Sequence, residues 1–145
     1  MGINKAFPLL RRDNFRKTSE PTADYNCIAW AAGDTRAAWW PDTDNVGYWP
    51  AGAPRDVTLP AFVAAYATLG YVLCDHNGLE KGFEKIAIYA KNGIPTHAAR
   101  QLKNGRWTSK LGKSDDIEHE LGALEGPAYG TVALYLKRPR EISRA

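Results

Sequence analysis

Two Asn-Gly dipeptides constrain the fold of this chain more than any other feature of its sequence. They separate three segments with alternating apolar and polar residues, and they are Asn92-Gly93 and Asn104-Gly105. Asn-Gly is the strongest short signal for a tight turn between antiparallel strands, because both residues tolerate positive φ. The sequence therefore predicts an antiparallel meander with strands at 85–90, 96–102 and 106–111.

Segments before and after this meander predict two helices and two further strands. Residues 27–32 are good helix formers, with Asp24 or Asn26 available as the N-cap. Residues 58–70 show apolar side chains at helical spacing between Thr58 as N-cap and a terminal glycine. Residues 71–74 are predicted to be a strand, and residues 129–136 to be a strand that is largely apolar on both faces and therefore lies inside the sheet.

A short polar segment at 114–121 is predicted to be a third helix. Ser114 or Asp115 would be its N-cap, and Glu118 follows Asp115 at the spacing of a capping box. His119 is then expected on a solvated face. Helices followed by an antiparallel sheet are typical of α+β proteins. We therefore predict an α+β fold in which N-terminal helices pack on an antiparallel β-sheet of about five strands.

The length of the chain is that of one compact domain, so residues 1–145 are predicted to form a single domain. Residues 1–22 are predicted to be a basic N-terminal arm with little regular structure. Residues 35–57 combine prolines with aromatic side chains and are predicted to be an ordered loop. Its tryptophans either line a substrate groove or close the edge of the core, and they are Trp39, Trp40 and Trp49.

Composition and charge argue against several kinds of partner. The formal net charge is +3, and the basic excess lies mainly at the two ends of the chain. Such ends are usually solvated, so no nucleic-acid partner is expected. No apolar run approaches the roughly 20 residues of a membrane span, and no secretory signal pattern is present. We expect a cytoplasmic protein with no membrane partner, in which Cys27 and Cys74 are free thiols.

Cys27 is the first candidate for chemistry, because it stands at the predicted start of a helix, where a thiolate is favoured. A cysteine nucleophile also needs a base, and imidazole is suited to that task near neutral pH. His76 lies in a turn-like segment and His119 in the predicted polar helix. His97 opens a strand and is followed by small alanines, so it is the predicted base.

A cysteine that opens a helix, followed downstream by a histidine that opens a central strand, resembles the chain order of papain-like cysteine hydrolases of the NlpC type. The segment from His97 to Ser109 is similar to the histidine strand, turn and next strand of that family. The resemblance implies a papain-like fold, a catalytic pair of Cys27 and His97, and a third catalytic residue at Ser109.

Three motifs resemble, more closely, an uncharacterised bacterial family of unknown function that carries no known activity. They are Tyr25-Asn26-Cys27-Ile28-Ala29-Trp30-Ala31, Thr96-His97-Ala98-Ala99-Arg100-Gln101-Leu102 and Trp107-Thr108-Ser109-Lys110-Leu111-Gly112.

The third catalytic residue depends on the length of the second turn. A two-residue turn would place Thr108 and Lys110 on the face of His97, whereas a bulged three-residue turn would place Ser109 there. Serine departs from the His, Asn, Gln or acid that the NlpC-type family usually has. A lysine at position 110 close to the thiol would lower the thiol pKa without orienting the imidazole.

Tyr25 and Asn26 are the nearest candidate side chains for an oxyanion hole. The predicted function is that of a cysteine hydrolase that attacks an amide or peptide-type bond, with no cofactor and no metal. Cys74-Asp75-His76 has no second ligand pair at zinc-finger spacing. The alternative is a catalytically inactive papain-like binding, immunity or accessory protein that contacts a protein partner through the tryptophan-rich loop.

Overall fold

The computed structural model describes residues 7–11, 13–42, 47–111 and 115–140. Some predicted features lie outside these ranges: residues 1–6 and 12 of the N-terminal arm, residues 43–46 of the aromatic loop, and the candidate N-cap Ser114.

The regular elements are one strand, two helices, five strands, a short 3-10 helix and a last strand. They are β1 (Phe15–Lys17), α1 (Cys27–Ala31), α2 (Leu59–Ala67), β2 (Val72–Cys74), β3 (Phe83–Lys91), β4 (Ile94–Gln101), β5 (Trp107–Lys110), β6 (Asp116–His119), the 3-10 helix (Leu121–Leu124) and β7 (Thr131–Pro139). All strands join one sheet in the order β1-β6-β5-β4-β3-β7-β2. Every neighbouring pair is antiparallel.

The prediction of a papain-like α+β fold with about five strands is wrong. The sheet has seven strands, and α1 and α2 contain only five and nine residues. Helices this short bring few apolar side chains to the sheet, so the sheet itself is the main body of the domain. The two strands that the sequence did not predict are β1, within the N-terminal arm, and β6, within the expected polar helix.

β6 is a strand because its charged side chains have partners on distant parts of the chain. Asp116 and Glu118 are only 2% and 8% exposed. The Tyr25 hydroxyl donates a hydrogen bond of 2.6 Å to Asp116, and Glu118 forms ion pairs of 3.1 Å with Arg16 and 3.0 Å with Arg106. The capping-box pattern is local and contains no information about these partners.

The first Asn-Gly turn is confirmed. Asn92 and Gly93 adopt φ values of 54° and 78° and connect β3 directly to β4. Positive φ at both positions is what a two-residue hairpin turn requires. The meander of β3, β4 and β5 is therefore present, as the sequence predicted.

The second hairpin has a three-residue loop rather than a two-residue turn. The Leu102 N–H donates to the Arg106 carbonyl at 2.7 Å, and Gly105 lies at φ 87°, the left-handed position of such a loop. The extra residue changes which side chains of β5 share a face with β4. Ser109, and not Lys110, consequently lies on the face of His97.

The sheet has an apolar core on each face. The helix-side core contains residues of α1 and α2 together with Ile86, Ile88 and Ala98 of the sheet. The opposite core contains Ala87 and Ala99 together with residues of the N-terminal segment and the 3-10 helix. Adjacent residues of a strand point to opposite faces, so the alternation along β3 and β4 separates the two cores.

Candidate functional site

The imidazole of His97 is fully buried on the face of the sheet opposite the helices, with 0% exposure. The ring of Tyr129 stacks on it at a centroid distance of 4.0 Å and an interplanar angle of 9°. Tyr89 packs against its edge at 5.2 Å. Two aromatic rings therefore fix the plane of the imidazole and exclude water from it.

A chain of three buried side chains continues from this imidazole. His97 Nε2 lies 2.9 Å from Ser109 Oγ, and Ser109 Oγ lies 2.7 Å from His119 Nε2. His119 Nδ1 then lies 2.7 Å from the backbone carbonyl oxygen of Glu120. All three side chains belong to residues with 0% exposure. We call this arrangement of His97, Ser109 and His119 the imidazole chain.

Both imidazoles are neutral near pH 7. Burial lowers the pKa of His97 well below its ordinary value, and His119 lowers it further. Burial also lowers the pKa of His119 to about 4, although its hydrogen bond to the Glu120 backbone acts in the other direction. A charged imidazole would lose its hydration here without gaining a carboxylate partner, so the neutral form is favoured.

One ring nitrogen of the imidazole chain has no hydrogen-bond partner among the described residues. His97 Nδ1 is buried and forms no hydrogen bond within the described part of the chain. A buried polar atom without a hydrogen bond costs free energy, and native structures contain few of them. Such atoms are informative because they often mark a functional position.

Cys27 is the first residue of α1 and is partly exposed. Burial raises the pKa of its thiol to about 11, although a hydrogen bond with the Ala98 backbone and the positive charge of Lys110 both lower it. The expectation of a lowered thiol pKa is therefore wrong, because loss of hydration outweighs the favourable contacts. At neutral pH the residue is a protonated thiol.

No hydrogen bond connects Cys27 with His97, because Nδ1 of His97 has no partner and Nε2 contacts Ser109. Cys27 packs against the helix-side core with Ala98, and His97 points to the other face. The two strands beside them, β4 and β5, pair only through Arg100 with Thr108 and Gln101 with Trp107. β4 is consequently unpaired with β5 from His97 to Ala99.

The Cys27 sulfur affects one residue that contacts His97. The backbone of Ala98, the residue next to His97, lowers the pKa of the Cys27 thiol. Burial, and then the nearby Cys27 sulfur, raise the pKa of Tyr129, whose ring stacks on His97. The Cys27 thiol therefore interacts electrostatically with Tyr129, the residue whose ring stacks on His97.

The raised pKa predicts how Cys27 reacts with iodoacetamide. In a Cys74→Ala background, the alkylation rate of Cys27 in the folded protein should rise about tenfold per pH unit from pH 7 to pH 9, because only the thiolate reacts. In the unfolded chain the rate should level off near pH 9. Mass spectrometry of quenched samples measures both rates. A folded-state rate that levels off by pH 8 would contradict the burial of the sulfur.

Tyr25 and Lys110 lie together on the helix side of the sheet. The Tyr25 hydroxyl donates to Asp116, its ring stacks on Trp30 at 5.3 Å, and Lys110 Nζ lies 5.2 Å from the ring centroid. Burial and the bond to Asp116 raise the pKa of Tyr25 to about 12. The hydroxyl predicted for an oxyanion hole thus already donates to a carboxylate.

Asn26 stabilises the start of α1. Its Oδ1 accepts hydrogen bonds from the N–H groups of Ala29 at 3.1 Å and Trp39 at 2.9 Å, and its Nδ2 donates to the Trp39 carbonyl at 2.7 Å. Asn26 is therefore the N-cap, one of the two predicted candidates, and it also connects the aromatic loop to the helix. These bonds give Asn26 a structural role instead of the predicted oxyanion role.

The tryptophans of the aromatic loop belong to the core rather than to an open groove. Trp39 and Trp49 are only 4% and 5% exposed. Trp40 packs edge-on against Phe62 of α2 at 5.7 Å, and Trp49 packs on the same ring at 5.0 Å. Apolar burial of this size stabilises the fold and leaves little aromatic surface for a ligand.

Residues of this loop also line a pocket, whose lining does not include Cys27 or His97. It has a volume of about 640 Å³ and is lined mainly by residues 32–37, with Trp39, Tyr48 and Leu69. Among the described residues, no group of three or more His, Cys, Asp or Glu side chains is arranged to hold a metal ion. None of the helices in the described ranges has the length and apolar character needed to cross a bilayer.

His119 is the residue that the sequence analysis missed. It was expected on a solvated helix face, whereas it is fully buried on β6 and ends the imidazole chain. The alternation of Asp116 and Glu118 with Ile117 and His119 has the period of a strand. Read as a strand, that pattern places Ile117 and His119 together on one face.

The fold and the site together define a seven-stranded antiparallel domain with a buried histidine–serine–histidine chain. The chain belongs to the family described as Domain of unknown function (DUF7689), which matches residues 16–137. No curated protein and no solved structure matches this sequence. The matched range includes Cys27 and the whole imidazole chain.

Proposed function

We propose that this protein is a cysteine hydrolase that acts on an amide or peptide-type bond, with Cys27 as nucleophile and His97 as base. The observation that carries the proposal is the unpartnered Nδ1 of the fully buried His97 ring. This atom belongs to the residue next to Ala98, whose backbone lowers the pKa of the Cys27 thiol. A fixed, neutral imidazole with one free nitrogen beside a thiol is suited to general-base catalysis.

Because the thiol and the imidazole are both neutral at rest, the nucleophile forms during attack. Cys27 gives its proton to His97 Nδ1 while Sγ bonds to the carbonyl carbon and the C=O π electrons move to oxygen. The adduct collapses, expelling the amine with the proton from the imidazolium and leaving a thioester on Cys27. Water then attacks the thioester, and His97 passes a proton from water to the sulfur. The products are a carboxylic acid and an amine.

The remaining residues of the site support this reaction indirectly. Lys110 lowers the thiol pKa by its charge, and Ser109 holds the other nitrogen of the His97 ring. The alternative function, protein binding through the aromatic loop, gains no support from the structure, because Trp39 and Trp49 are buried. The substrate would be a peptide-like or amide compound.

An activated ester tests the proposal without knowledge of the natural substrate. We expect p-nitrophenyl acetate to acetylate Cys27 and to release nitrophenol over repeated turnovers. His97→Gln retains a donor to Ser109 but removes the base, so it should lower the rate by about 100-fold or more, the usual range for general-base catalysis. Intact-mass and peptide-mass measurements locate the acetyl group.

The matched controls separate chemistry from folding. Cys74→Ala should behave as the wild type, and Cys27→Ala should lose the acetylation completely. Thermal melting establishes that each variant is folded. The proposal fails if folded His97→Gln is acetylated at the wild-type rate, or if the acetyl group lies on other residues and never on Cys27.

A further inference from the structure

The imidazole chain ends on an atom that can only accept a hydrogen bond. The Glu120 backbone carbonyl has no proton, so at a separation of 2.7 Å His119 Nδ1 must donate. A neutral imidazole carries one N–H, and His119 is neutral at pH 7. His119 Nε2 is therefore without a proton and must accept.

The unprotonated His119 Nε2 determines the direction in which the Ser109 hydroxyl donates. Ser109 Oγ has one proton, and the only way to satisfy His119 Nε2 at 2.7 Å is to donate that proton to it. The lone pairs of Ser109 Oγ are then directed towards His97 Nε2, 2.9 Å away. Two lone pairs cannot face each other favourably, so His97 Nε2 must carry the proton.

The proton on His97 Nε2 determines the state of the unpartnered nitrogen. Neutral His97 has its proton on Nε2, and Nδ1 consequently carries a free lone pair. A base needs this lone pair, whereas an N–H at Nδ1 could not take a proton from a thiol. The tautomer of His97 is thus set by a carbonyl two side chains away.

We infer that His119 is a positioning residue that, through Ser109, holds His97 in the tautomer with a free Nδ1 lone pair. This inference rests on the proposed function for its catalytic meaning, but the tautomer itself is a property of the resting protein. The side chains of His97, Ser109 and His119 are all buried, and each lies within hydrogen-bond distance of the next group in the chain. Burial matters because water would otherwise supply alternative donors and acceptors.

Nitrogen NMR of the histidine rings tests the inference in the resting protein at pH 7. We expect His97 Nε2 to resonate as a protonated ring nitrogen and Nδ1 as an unprotonated one. In His119→Leu the hydroxyl of Ser109 is free to donate to His97, so both His97 shifts should move towards averaged values. His119→Gln offers an amide oxygen to Ser109 and should restore the wild-type shifts.

A second variant and a control keep the result interpretable. Ser109→Ala interrupts the imidazole chain and should cause the same loss of a single His97 tautomer. It therefore tests the inference even if His119→Leu does not fold. Replacement of the exposed His76 by Gln should leave the His97 shifts unchanged. A wild-type His97 protonated on Nδ1, or unchanged His97 shifts in both chain-breaking variants, overturns the inference.

Acetylation by p-nitrophenyl acetate then distinguishes the two proposals. If both hold, His119→Leu lowers the acetylation rate of Cys27 and His119→Gln restores it. If the wild-type His97 shifts are as expected but Cys27 is not acetylated, the tautomer assignment stands and the hydrolase proposal is refuted. If the acetylation rate depends on His97 but is the same in His119→Leu and in the wild type, only the positioning role of His119 is refuted.

Discussion

Acidification from pH 7 to pH 5 should lower the free energy of unfolding by about 3 to 4 kcal/mol through His97 and His119 alone. Both rings are buried and neutral in the folded state, with the pKa of His119 lowered to about 4 and that of His97 well below its ordinary value. The unfolded chain binds protons at these positions below a pKa of about 6.5. The stability that the two neutral imidazoles contribute is therefore fully present above the unfolded-chain pKa of about 6.5 and is lost as the pH falls below it.

Urea unfolding at pH 7, 6 and 5 measures this effect. Each buried imidazole contributes a slope of about 1.4 kcal/mol per pH unit while the folded state stays unprotonated. The double variant His97→Gln, His119→Gln should show a smaller slope than the wild type, whereas replacement of the exposed His76 by Gln should not. Equal slopes in the wild type and the double variant would show that other groups cause the acid sensitivity.

Gly130→Ala should strongly destabilise the fold. A Cβ at this position would lie 2.1 Å from the Ala90 carbonyl oxygen and 2.8 Å from the Ala90 carbonyl carbon. Neither backbone atom can move without breaking the ladder between β3 and β7, in which Ala90 pairs with Thr131. We expect a loss of about 4 kcal/mol or more, beyond the usual range for one substitution. Urea unfolding and the yield of folded protein measure it.

Gly93→Ala is the matched control, because Gly93 has nearly the same backbone conformation in open space. Its φ is 78° against 76° for Gly130, and no atom lies within 4 Å of an added Cβ. Gly93→Ala should lower the free energy of unfolding by only about 1 to 2 kcal/mol, the cost of placing a side chain in the left-handed conformation. Similar losses in the two variants would mean that the contact with Ala90 is relieved by a small shift of the chain.

The parts of the fold that the sequence predicted are those with local signals. The turn at Asn92-Gly93 and the N-caps Asn26 and Thr58 each depend on residues a few positions apart. Strand β7 was expected to lie inside the sheet, and it does lie between β3 and β2. Local chemistry was sufficient in these cases because no distant partner competes with it.

The fold class was predicted wrongly because two strands depend on distant partners. β1 is a short strand in a basic segment, and it is held by pairing with β6. β6 has a capping-box pattern, yet Asp116 and Glu118 are buried against Tyr25, Arg16 and Arg106. Once β6 was taken for a helix, no strand remained for β1 to pair with.

The candidate site was predicted in part for the same reason. His97 and Ser109 lie together because of the three-residue loop after β4, one of the two alternatives that the sequence left open. His119 could not be placed without β6. The direction of the Cys27 pKa shift also escaped prediction, because it depends on burial, which a linear sequence does not specify.

The position of β1 beside β6 determines the order in which the domain can form. Arg16 and Glu118 pair across a separation of 102 residues, whereas β3, β4 and β5 are consecutive hairpins. Closing so long a loop is entropically costly, so β1 should dock after the meander and its neighbour β6 have formed. Phe15 pairs with His119. The last event of folding therefore seals the imidazole chain from solvent, and amide hydrogen exchange should be fastest at that edge.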